Sequence, residues 1–329
     1  MGERRIESPF LPTSVSPAAA PSPPRSRLAS GLTLAVLGAV AFSGKAIIVK
    51  LAYRHGVDAV TLLMLRMAFA LPFFILMAWW AGRERNGIKP DALHWRDGLG
   101  IAWLGFTGYY LASYLDFAGL AYISASFERL ILYLNPTLVV LLGALFYRRA
   151  ISRYQWLGLA ISYGGVLLVF GHEVNLSGEG VWLGSVLVFG SAVSYALYLS
   201  YSGELVRRLG ALRLVGWASA VACILCIAQF LVLRPLAGLG DLAPQVWTLS
   251  LINASVCTVV PVFLVMMGIE RLGAGLAAQV GMVGPMSTLM MAAVFLDEPL
   301  TAWVLGGTVL VVAGVFVCTR SPLVVAPAQ

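Results

Sequence analysis

The strongest constraint on this chain is a succession of apolar stretches, each about 20 residues long, separated by short connections that carry most of the charge. A helix that rises about 1.5 Å per residue needs about 20 residues to cross a hydrocarbon core about 30 Å thick. Lipid cannot hydrogen-bond a peptide group, so stretches of this kind must be helical. Only 11% of the residues are charged, which is far below the share in soluble domains. The sequence therefore predicts an all-α integral membrane protein.

Ten stretches have the length and composition of membrane spans. They are 30–52, 58–81, 97–119, 124–147, 153–171, 180–202, 212–234, 246–268, 273–296 and 301–319. Residues 1–29 contain six prolines among alanines and serines, which predicts a disordered tail, and a short tail, 320–329, follows the last span. The connections are too short to hold a soluble catalytic domain.

Lysine and arginine are divided unequally between the two sets of connections. Sixteen of them lie in the first tail and in the connections that would share its side, whereas the opposite set holds Arg54 and Arg234, with Lys50 at its border. Positive residues stay on the cytoplasmic side of a membrane. We therefore expect a multi-pass protein of a bacterial-type inner (plasma) membrane with both termini in the cytoplasm. This distribution also accounts for the net charge of +7, and no nucleic-acid partner is predicted.

An internal repeat relates the two halves of the chain. Pro136 and Pro285, in the middle of spans four and nine, are 149 residues apart and stand in similar surroundings. The connection after span four is rich in arginine, whereas the equivalent one contains Asp297 and Glu298. Equivalent loops of opposite charge should lie on opposite sides of the membrane. We expect two inverted five-helix repeats, an architecture found in many secondary carriers. The predicted repeats are 30–171 and 180–319.

Several local features carry a resemblance to a known family. They are the paired Pro136 and Pro285, the Asp297-Glu298-Pro299-Leu300 turn, the glycine-rich span after it, and Leu65-Arg66 in span two. In these features the chain resembles the EamA-type carriers of the drug/metabolite transporter superfamily, over about residues 30–320. The resemblance implies ten helices, two cytoplasmic termini and a central cavity, and many relatives act as exporters. The chain departs from the family at the end of span four, where Arg148-Arg149 replaces an acidic residue.

Charged side chains inside spans are the first candidates for a functional site, because each costs several kcal/mol unless it faces a cavity or a partner. They are Lys45, Arg66, Glu128 and Arg129. Counted from the outer ends of their spans, they share one layer about 7 to 12 Å deep. In the functional interpretation they form a gate, where the two arginines attract a carboxylate or phosphate and Glu128 accepts a proton. In the structural interpretation Glu128 pairs with Arg66 or Lys45, and Arg129 extends to the interface.

Polar, aromatic and helix-breaking residues form a second group. Spans three and six each carry aromatic and hydroxyl residues along one helical face, which would either line a pocket or pack the helices together. The candidate residues are Tyr110, Ser194, Tyr195 and Tyr198. Because a proline frees a backbone carbonyl, polar residues beside the two prolines would line a cavity, namely Asn135 and Gln279. The predicted break and hinge residues are Pro136, Gly281, Gly284 and Pro285. Other glycines should allow close helix packing, namely Gly158, Gly164, Gly165, Gly306, Gly307 and Gly314.

These features favour a secondary transporter that exports an amino acid or similar small organic metabolite by alternating access, with that solute and the lipid bilayer as its partners. No nucleotide-binding glycine-rich motif is present, so ATP is not the expected energy source. The alternatives are a membrane-embedded sensor or assembly subunit and, with less support, a lipid-modifying enzyme. The assembly state is open, and a homodimer is one alternative.

The residues that could support enzyme or metal chemistry are scattered. His55, His94 and His172 lie in different connections, and the four cysteines lie inside apolar stretches. Buried cysteines usually behave as small hydrophobic residues. The sequence therefore predicts no enzyme, no metal site and no cofactor.

Overall fold

The computed structural model describes residues 25–83, 93–147, 150–177, 180–272, 280–281 and 283–320. Within these ranges the regular structure is helical, without a β-strand. The α-helices are α1 Arg25–Tyr53, α2 Ala59–Ala81, α3 Trp95–Leu104, α4 Ala112–Leu120, α5 Ala125–Leu132, α6 Asn135–Tyr147, α7 Arg153–Ser177, α8 Val181–Leu209, α9 Ala211–Leu233, α10 Pro244–Ala254, α11 Val260–Leu272, α12 Val283–Leu296 and α13 Ala302–Arg320.

Five sequence predictions lie partly or wholly outside the described ranges. They concern the first 24 residues of the tail, the Arg148-Arg149 pair, the predicted span 273–296, Gln279 and the short tail 320–329. The tail was predicted to reach residue 29, but α1 already begins at Arg25. This difference follows from the position of the last proline of the tail, because a helix can begin directly after Pro24.

Eight helical segments in the described ranges are long and apolar enough to cross a membrane. The stretch 95–120 is also helical throughout, and α12 is a shorter apolar helix. Large apolar side chains are exposed on the outer faces of the bundle, among them Leu145, 72% exposed, and Val232, 82% exposed. Such a surface is stable in contact with lipid and unfavourable in water. The chain is therefore a multi-pass membrane protein.

Three of the long helical stretches are interrupted. A π-helical segment, Gly105–Leu111, joins α3 to α4, and another, Ser255–Val259, joins α10 to α11. The 149-residue offset of the repeat places the first segment on 254–260, so the two interruptions fall at equivalent positions. The third interruption separates α5 from α6, directly before Pro136. Such interruptions are frequent at functional sites.

The closest helix neighbours come from opposite halves of the chain. The pairs are α1 with α11, α2 with α9, α4 with α8, α5 with α12 and α7 with α13. The tightest approach joins α7 to α13, where a Cβ atom added at Gly158 would lie 2.6 Å from the carbonyl oxygen of Gly314. Only glycine allows this approach, as the sequence predicts for both positions. The two halves therefore form one bundle.

Candidate functional site

A central cavity of about 430 Å³ lies where the two halves meet. It contains five of the predicted site residues, together with other polar side chains. The predicted ones are Lys45, Arg66, Arg129, Asn135 and Tyr195; the others include Asp116, Tyr109, Tyr133 and Ser191. A cavity of this size, with a mostly apolar wall and a few convergent polar groups, suits a small organic ligand.

Two carboxylates and two cations form a buried ionic cluster at this cavity. The Lys45 Nζ atom is hydrogen-bonded to Asp116 and lies 3.6 Å from Glu128 Oε1. Arg129 Nε lies 4.0 Å from the other Glu128 oxygen. Asp116 and Glu128 are 2% and 0% exposed. The predicted pairing of Glu128 with Lys45 is confirmed, while Asp116 was not among the candidates, although any acid inside a span is a signal that could have identified it.

Arg129 is directed into the bundle. Its Nε donates a hydrogen bond to Thr288 Oγ1 at 3.0 Å, and its Nη2 donates to the Phe42 carbonyl at 3.4 Å. Both partners lie on other helices, Phe42 on α1 and Thr288 on α12. The structural interpretation in which Arg129 extends to the membrane interface is therefore wrong, because inward hydrogen-bond partners are available to it.

Arg66 has a different environment. Its Nε donates to Thr258 Oγ1 at 2.9 Å, and its guanidinium lies over the Phe117 ring, 5.1 Å from the centroid. Thr258 belongs to the π-helical segment between α10 and α11. The Nη1 atom is buried and has no hydrogen-bond partner among the described residues. Across the described ranges, no carboxylate lies within ion-pair distance of Arg66. The predicted pairing of Glu128 with Arg66 is accordingly not found.

The break before Pro136 has a local hydrogen-bond partner. Proline lacks the N–H that would bond to the carbonyl four residues earlier, which here is that of Leu132. The Asn135 side-chain Nδ2 donates to this carbonyl at 2.7 Å. Asn135 thereby occupies the cavity wall and satisfies the freed backbone group at the same time.

The proline of the second half has a partner from the first half. Pro285 frees the carbonyl of Gly281, and the Tyr133 hydroxyl donates to that oxygen at 3.3 Å. Gly281 and Gly284 line a neighbouring cavity of about 410 Å³, which shares Tyr133 with the central one. The Gly284 carbonyl accepts from Ser43 Oγ at 2.8 Å. Tyr133 was missed because its role depends on how α5 packs against α12.

The aromatic prediction is only partly correct. Tyr195 lines the cavity, but Tyr198 packs beneath it and is hydrogen-bonded to Tyr109 at 3.1 Å between the hydroxyls. Ser194 donates to the Thr107 carbonyl and does not line the cavity. Tyr110 packs against Phe106, whose ring is partly exposed on the outer surface of the bundle. The predicted face of span three therefore points partly toward lipid, whereas the predicted face of span six contributes Tyr195 to the cavity wall.

A second cluster lies at the end of the bundle beyond the ionic cluster, where its residues line a further cavity of about 560 Å³. The Glu298 carboxylate accepts from the backbone N–H groups of Ala125 and Ser126, at 2.8 and 3.1 Å. It thus caps the N-terminus of α5, where negative charge is favoured. Lys50 Nζ donates to the carbonyls of Leu120 and Ile123, at 3.1 and 2.9 Å. The Glu298 contacts fasten the turn after α12 to the first turn of α5, and the Lys50 contacts fasten α1 to the connection between α4 and α5. We call them the Glu298 latch.

These features together define a class of protein. The cavity and its buried charges lie inside a bundle of membrane-spanning helices. A buried ionisable cluster inside such a bundle marks a solute or ion path. The molecule is a membrane transporter rather than an enzyme.

The chain belongs to the EamA-like transporter family, whose model matches it twice, at residues 29–171 and 182–320. It is 30% identical to the uncharacterized transporter YcbK of Bacillus subtilis over 83% of this chain and 87% of the relative. It is 26% identical to a protein of Salmonella typhimurium named probable amino-acid metabolite efflux pump, over 59% of this chain and 67% of the relative. A crystal structure at 14% identity shares the fold, with a TM-score of 0.59 over 88% of this chain and 96% of that one.

Proposed function

We propose that the protein is a ten-span secondary carrier of a bacterial-type inner membrane, with both termini in the cytoplasm. It exports an amino acid or a similar small organic metabolite by alternating access between two inverted five-helix halves. The observation that carries this proposal is the central cavity with its few convergent polar groups, whose walls come from both halves. A relative motion of the halves would change the side from which such a cavity is reached.

The helix pairs support a two-fold relation between the halves. The ten spans are the eight long apolar segments together with stretch 95–120 and the span that ends with α12. The symmetry operation that superposes the two halves places α1 on α8. It also places the stretch that ends with α4 on the stretch that ends with α11. The pair α1 with α11 then becomes α8 with α4, which is also observed. The pairs α2 with α9 and α7 with α13 map onto themselves, as a two-fold axis between the halves requires.

The position of the central cavity is the basis for proposing export rather than import. In the proposed orientation, the Glu298 latch and the ionic cluster lie toward the outer surface. The cavity wall continues into the cytoplasmic halves of its helices through Phe74, Val215 and Met266. A solute from the cytoplasm would enter this cavity, and release would require the latch to open. The printed name of the Salmonella relative supports an amino-acid metabolite as cargo.

A counterflow assay in proteoliposomes tests this function. Vesicles loaded with one solute from a panel of amino acids, organic acids and amines should accumulate the same labelled solute from outside. Ser113→Trp, which places an indole in the cavity, should abolish accumulation, whereas Ser287→Trp on the outward side of α12 should retain it. Folded protein that moves no solute in the panel would overturn the carrier proposal and favour the sensor alternative.

A further inference from the structure

The end of the bundle that faces outward in the proposed orientation contains a large cavity, which we call the outer cavity. Its volume is about 560 Å³, compared with about 430 Å³ for the central cavity. The two cavities share no lining residue within the described ranges. The residues that line the outer cavity include Lys50, Arg54, Tyr122, Ser126, Glu173 and Glu298.

Only a thin barrier separates the outer cavity from the central one. On α5, Ser126 lines the outer cavity and Arg129 lines the central cavity. These positions are three residues apart, which is about 4.5 Å along a helix. On α1 the corresponding residues are Lys50 and Lys45, which are five residues or about 7.5 Å apart. The barrier is therefore about one helical turn thick.

The barrier is closely packed. On α4, residues 117–120 lie between the last residue that lines the central cavity and the first that lines the outer cavity. Phe117 and Leu120 in this stretch, and Glu128 on α5, are fully buried. Protein interiors have few voids larger than a water molecule. A solute can therefore pass from one cavity to the other only if the helices that form the barrier separate.

One group of contacts holds the barrier within the first half of the chain. Lys50 fastens α1 to the connection between α4 and α5, and the Tyr53 hydroxyl donates to the Phe117 carbonyl at 2.6 Å. The Ser124 hydroxyl donates to Glu173 on α7. All these partners belong to α1–α7 and their connections. A movement of one half relative to the other need not break them.

A second group of contacts crosses from one half to the other. The Glu298 carboxylate accepts from the backbone N–H groups of Ala125 and Ser126 and, at 2.7 Å, from the Ser126 hydroxyl. Arg54 donates to the Leu296 carbonyl at 3.0 Å. Hydrogen bonds to an ionised carboxylate are about twice as strong as those between neutral groups. Glu298 therefore makes the stronger of the two links that must break if the halves separate at this end.

We propose that the outer cavity is the last station of the exported solute, and that the Glu298 carboxylate holds closed the barrier between this cavity and the central one. The inference rests on the carrier function proposed above and specifies its exit path. The solute enters the outer cavity when α5 separates from the turn after α12. Exposed side chains of both charges, Arg54 and Asp297, lie in the outer wall. This wall suits a polar solute that is about to enter water.

Cysteine accessibility in intact cells tests the role of Glu298. Tyr122→Cys places a thiol in the outer cavity, Ser113→Cys places one in the central cavity, and the four native cysteines are buried. A membrane-impermeant methanethiosulfonate should label Tyr122→Cys readily and Ser113→Cys slowly. Adding Glu298→Ala should speed labelling of Ser113→Cys at least about tenfold. This factor corresponds to about 1.4 kcal/mol, close to the contribution of one hydrogen bond to a charged group.

Asp58→Ala provides a matched control for the loss of a helix cap. The Asp58 carboxylate also accepts from two backbone N–H groups at the outer end of the bundle, at the start of α2. It lines neither the outer nor the central cavity, and its ion pair with Arg234 is exposed. Exposed ion pairs contribute little. Asp58→Ala should therefore leave the labelling rate of Ser113→Cys unchanged, and Glu298→Ala without an introduced cysteine should remain unlabelled.

Two results of the labelling experiment would overturn the inference. If Glu298→Ala does not speed labelling of Ser113→Cys, or if Asp58→Ala speeds it equally, Glu298 does not hold the barrier closed. If Tyr122→Cys is not labelled from outside, the outer cavity is not on the exit side. Glu298→Gln, which keeps one acceptor oxygen and loses the charge, should give a smaller increase and replaces Glu298→Ala if that variant does not fold.

A reversible cross-link tests whether the solute uses this exit. Ser126→Cys combined with Glu298→Cys places two thiols where the native oxygens are 2.7 Å apart. Closing this pair with a short bifunctional methanethiosulfonate should abolish counterflow in proteoliposomes, and dithiothreitol should restore it. The two single-cysteine variants, treated in the same way, should keep counterflow. Counterflow that survives complete cross-linking would overturn the exit path.

The carrier proposal and this inference fail in distinguishable ways. If the wild type shows counterflow and cross-linking does not affect it in the double variant, the carrier function stands and the exit path is wrong. If no solute shows counterflow with the wild type, the carrier function is wrong and the exit path fails with it.

Discussion

At the scale of single residues, one short segment satisfies the backbone groups that both mid-span prolines leave free. Asn135 donates to the Leu132 carbonyl freed by Pro136, and Tyr133 donates to the Gly281 carbonyl freed by Pro285. In lipid, each of these carbonyls would otherwise lack any partner. The segment 133–135 thus stabilises the break in its own helix and contacts the break in the other half.

The bond from Asn135 makes a specific energetic prediction. Asn135→Ala should destabilise the protein by about 1–3 kcal/mol, because the Leu132 carbonyl loses its partner. Pro136→Ala supplies a backbone N–H to the same carbonyl. The double variant should therefore be less destabilised than the sum of the two single variants. Chemical unfolding of the four proteins in micelles measures this coupling.

A matched control uses the proline inside α2. Pro72→Ala restores an N–H in another helix, so its effect should add to that of Asn135→Ala. For two independent sites, the change in unfolding free energy of the double variant equals the sum of the two single changes within about 0.3–0.5 kcal/mol. Additivity of the Asn135 and Pro136 substitutions within the same margin would show that Asn135 does not replace the missing N–H.

The sequence predicts the chemistry of these residues better than their partners. Asn135 could be found because a polar side chain beside a mid-span proline has an obvious acceptor nearby. The partner of Lys45 could not be assigned, since the choice between Asp116 and Glu128 depends on how α1, α4 and α5 pack. The two interpretations of Arg129, as a gate residue or as a side chain that extends to the interface, stayed open because depth along one helix does not show which neighbours surround a side chain.

At the scale of helices, the crossing of α7 and α13 depends on an absence of side chains. A Cβ atom at Gly314 would lie 2.5 Å from the backbone nitrogen of Ser162 and 2.6 Å from the carbonyl oxygen of Gly158. Backbone atoms cannot move aside as the end of a flexible side chain can. The two helices must therefore separate if this glycine is replaced.

Replacement of Gly314 should be far more costly than replacement of Gly164. Gly314→Val should destabilise the protein by at least about 1–3 kcal/mol, the usual cost of overpacking. A Cβ atom at Gly164 meets no atom within 4 Å, so Gly164→Val should stay within about 0.5 kcal/mol of the wild type. Unfolding in micelles compares the two, and equal losses would mean that the close approach does not determine stability.

Helix interruptions limited what the sequence could predict at this scale. Gly158, Gly165, Gly307 and Gly314 are close-contact positions as expected, but Gly164 faces open space because it is one helical step away from Gly165. The π-helical segments have no clear sequence signal, unlike a proline break. The face of span three was therefore assigned from an uninterrupted α-helical period, although the segment from Gly105 to Leu111 does not follow that period.

At the scale of the whole molecule, the Glu298 latch joins the two halves at one end of the bundle. The turn that holds it follows α12, and Asp297 adopts a left-handed conformation there, with a φ of 59°. Arg54 adds a hydrogen bond to the Leu296 carbonyl at 3.0 Å. The sequence indicated this turn through its two acidic residues, which contrast with the arginines of the equivalent loop, and through a family resemblance. Its contact with α5 could be seen only once the halves were placed together.

The inverted repeat can be tested at two equivalent positions. Ala150 and Pro299 are separated by the 149-residue offset, and both are exposed. The four native cysteines are buried, so single cysteines introduced at these positions should react selectively. In intact cells, a membrane-impermeant maleimide should label Pro299→Cys and not Ala150→Cys, and after permeabilisation it should label both. Wild-type protein, which should remain unlabelled, is the control.

Each possible result of this experiment has a different meaning. Labelling of Pro299→Cys alone places equivalent loops on opposite sides, as the opposite charges of their sequences require. Labelling of Ala150→Cys alone keeps the inversion but reverses the orientation, which would turn the Glu298 latch toward the cytoplasm. Equal labelling of both in intact cells would place the loops on one side. The halves could not then be inverted, and alternating access by exchange of their conformations would have no structural basis.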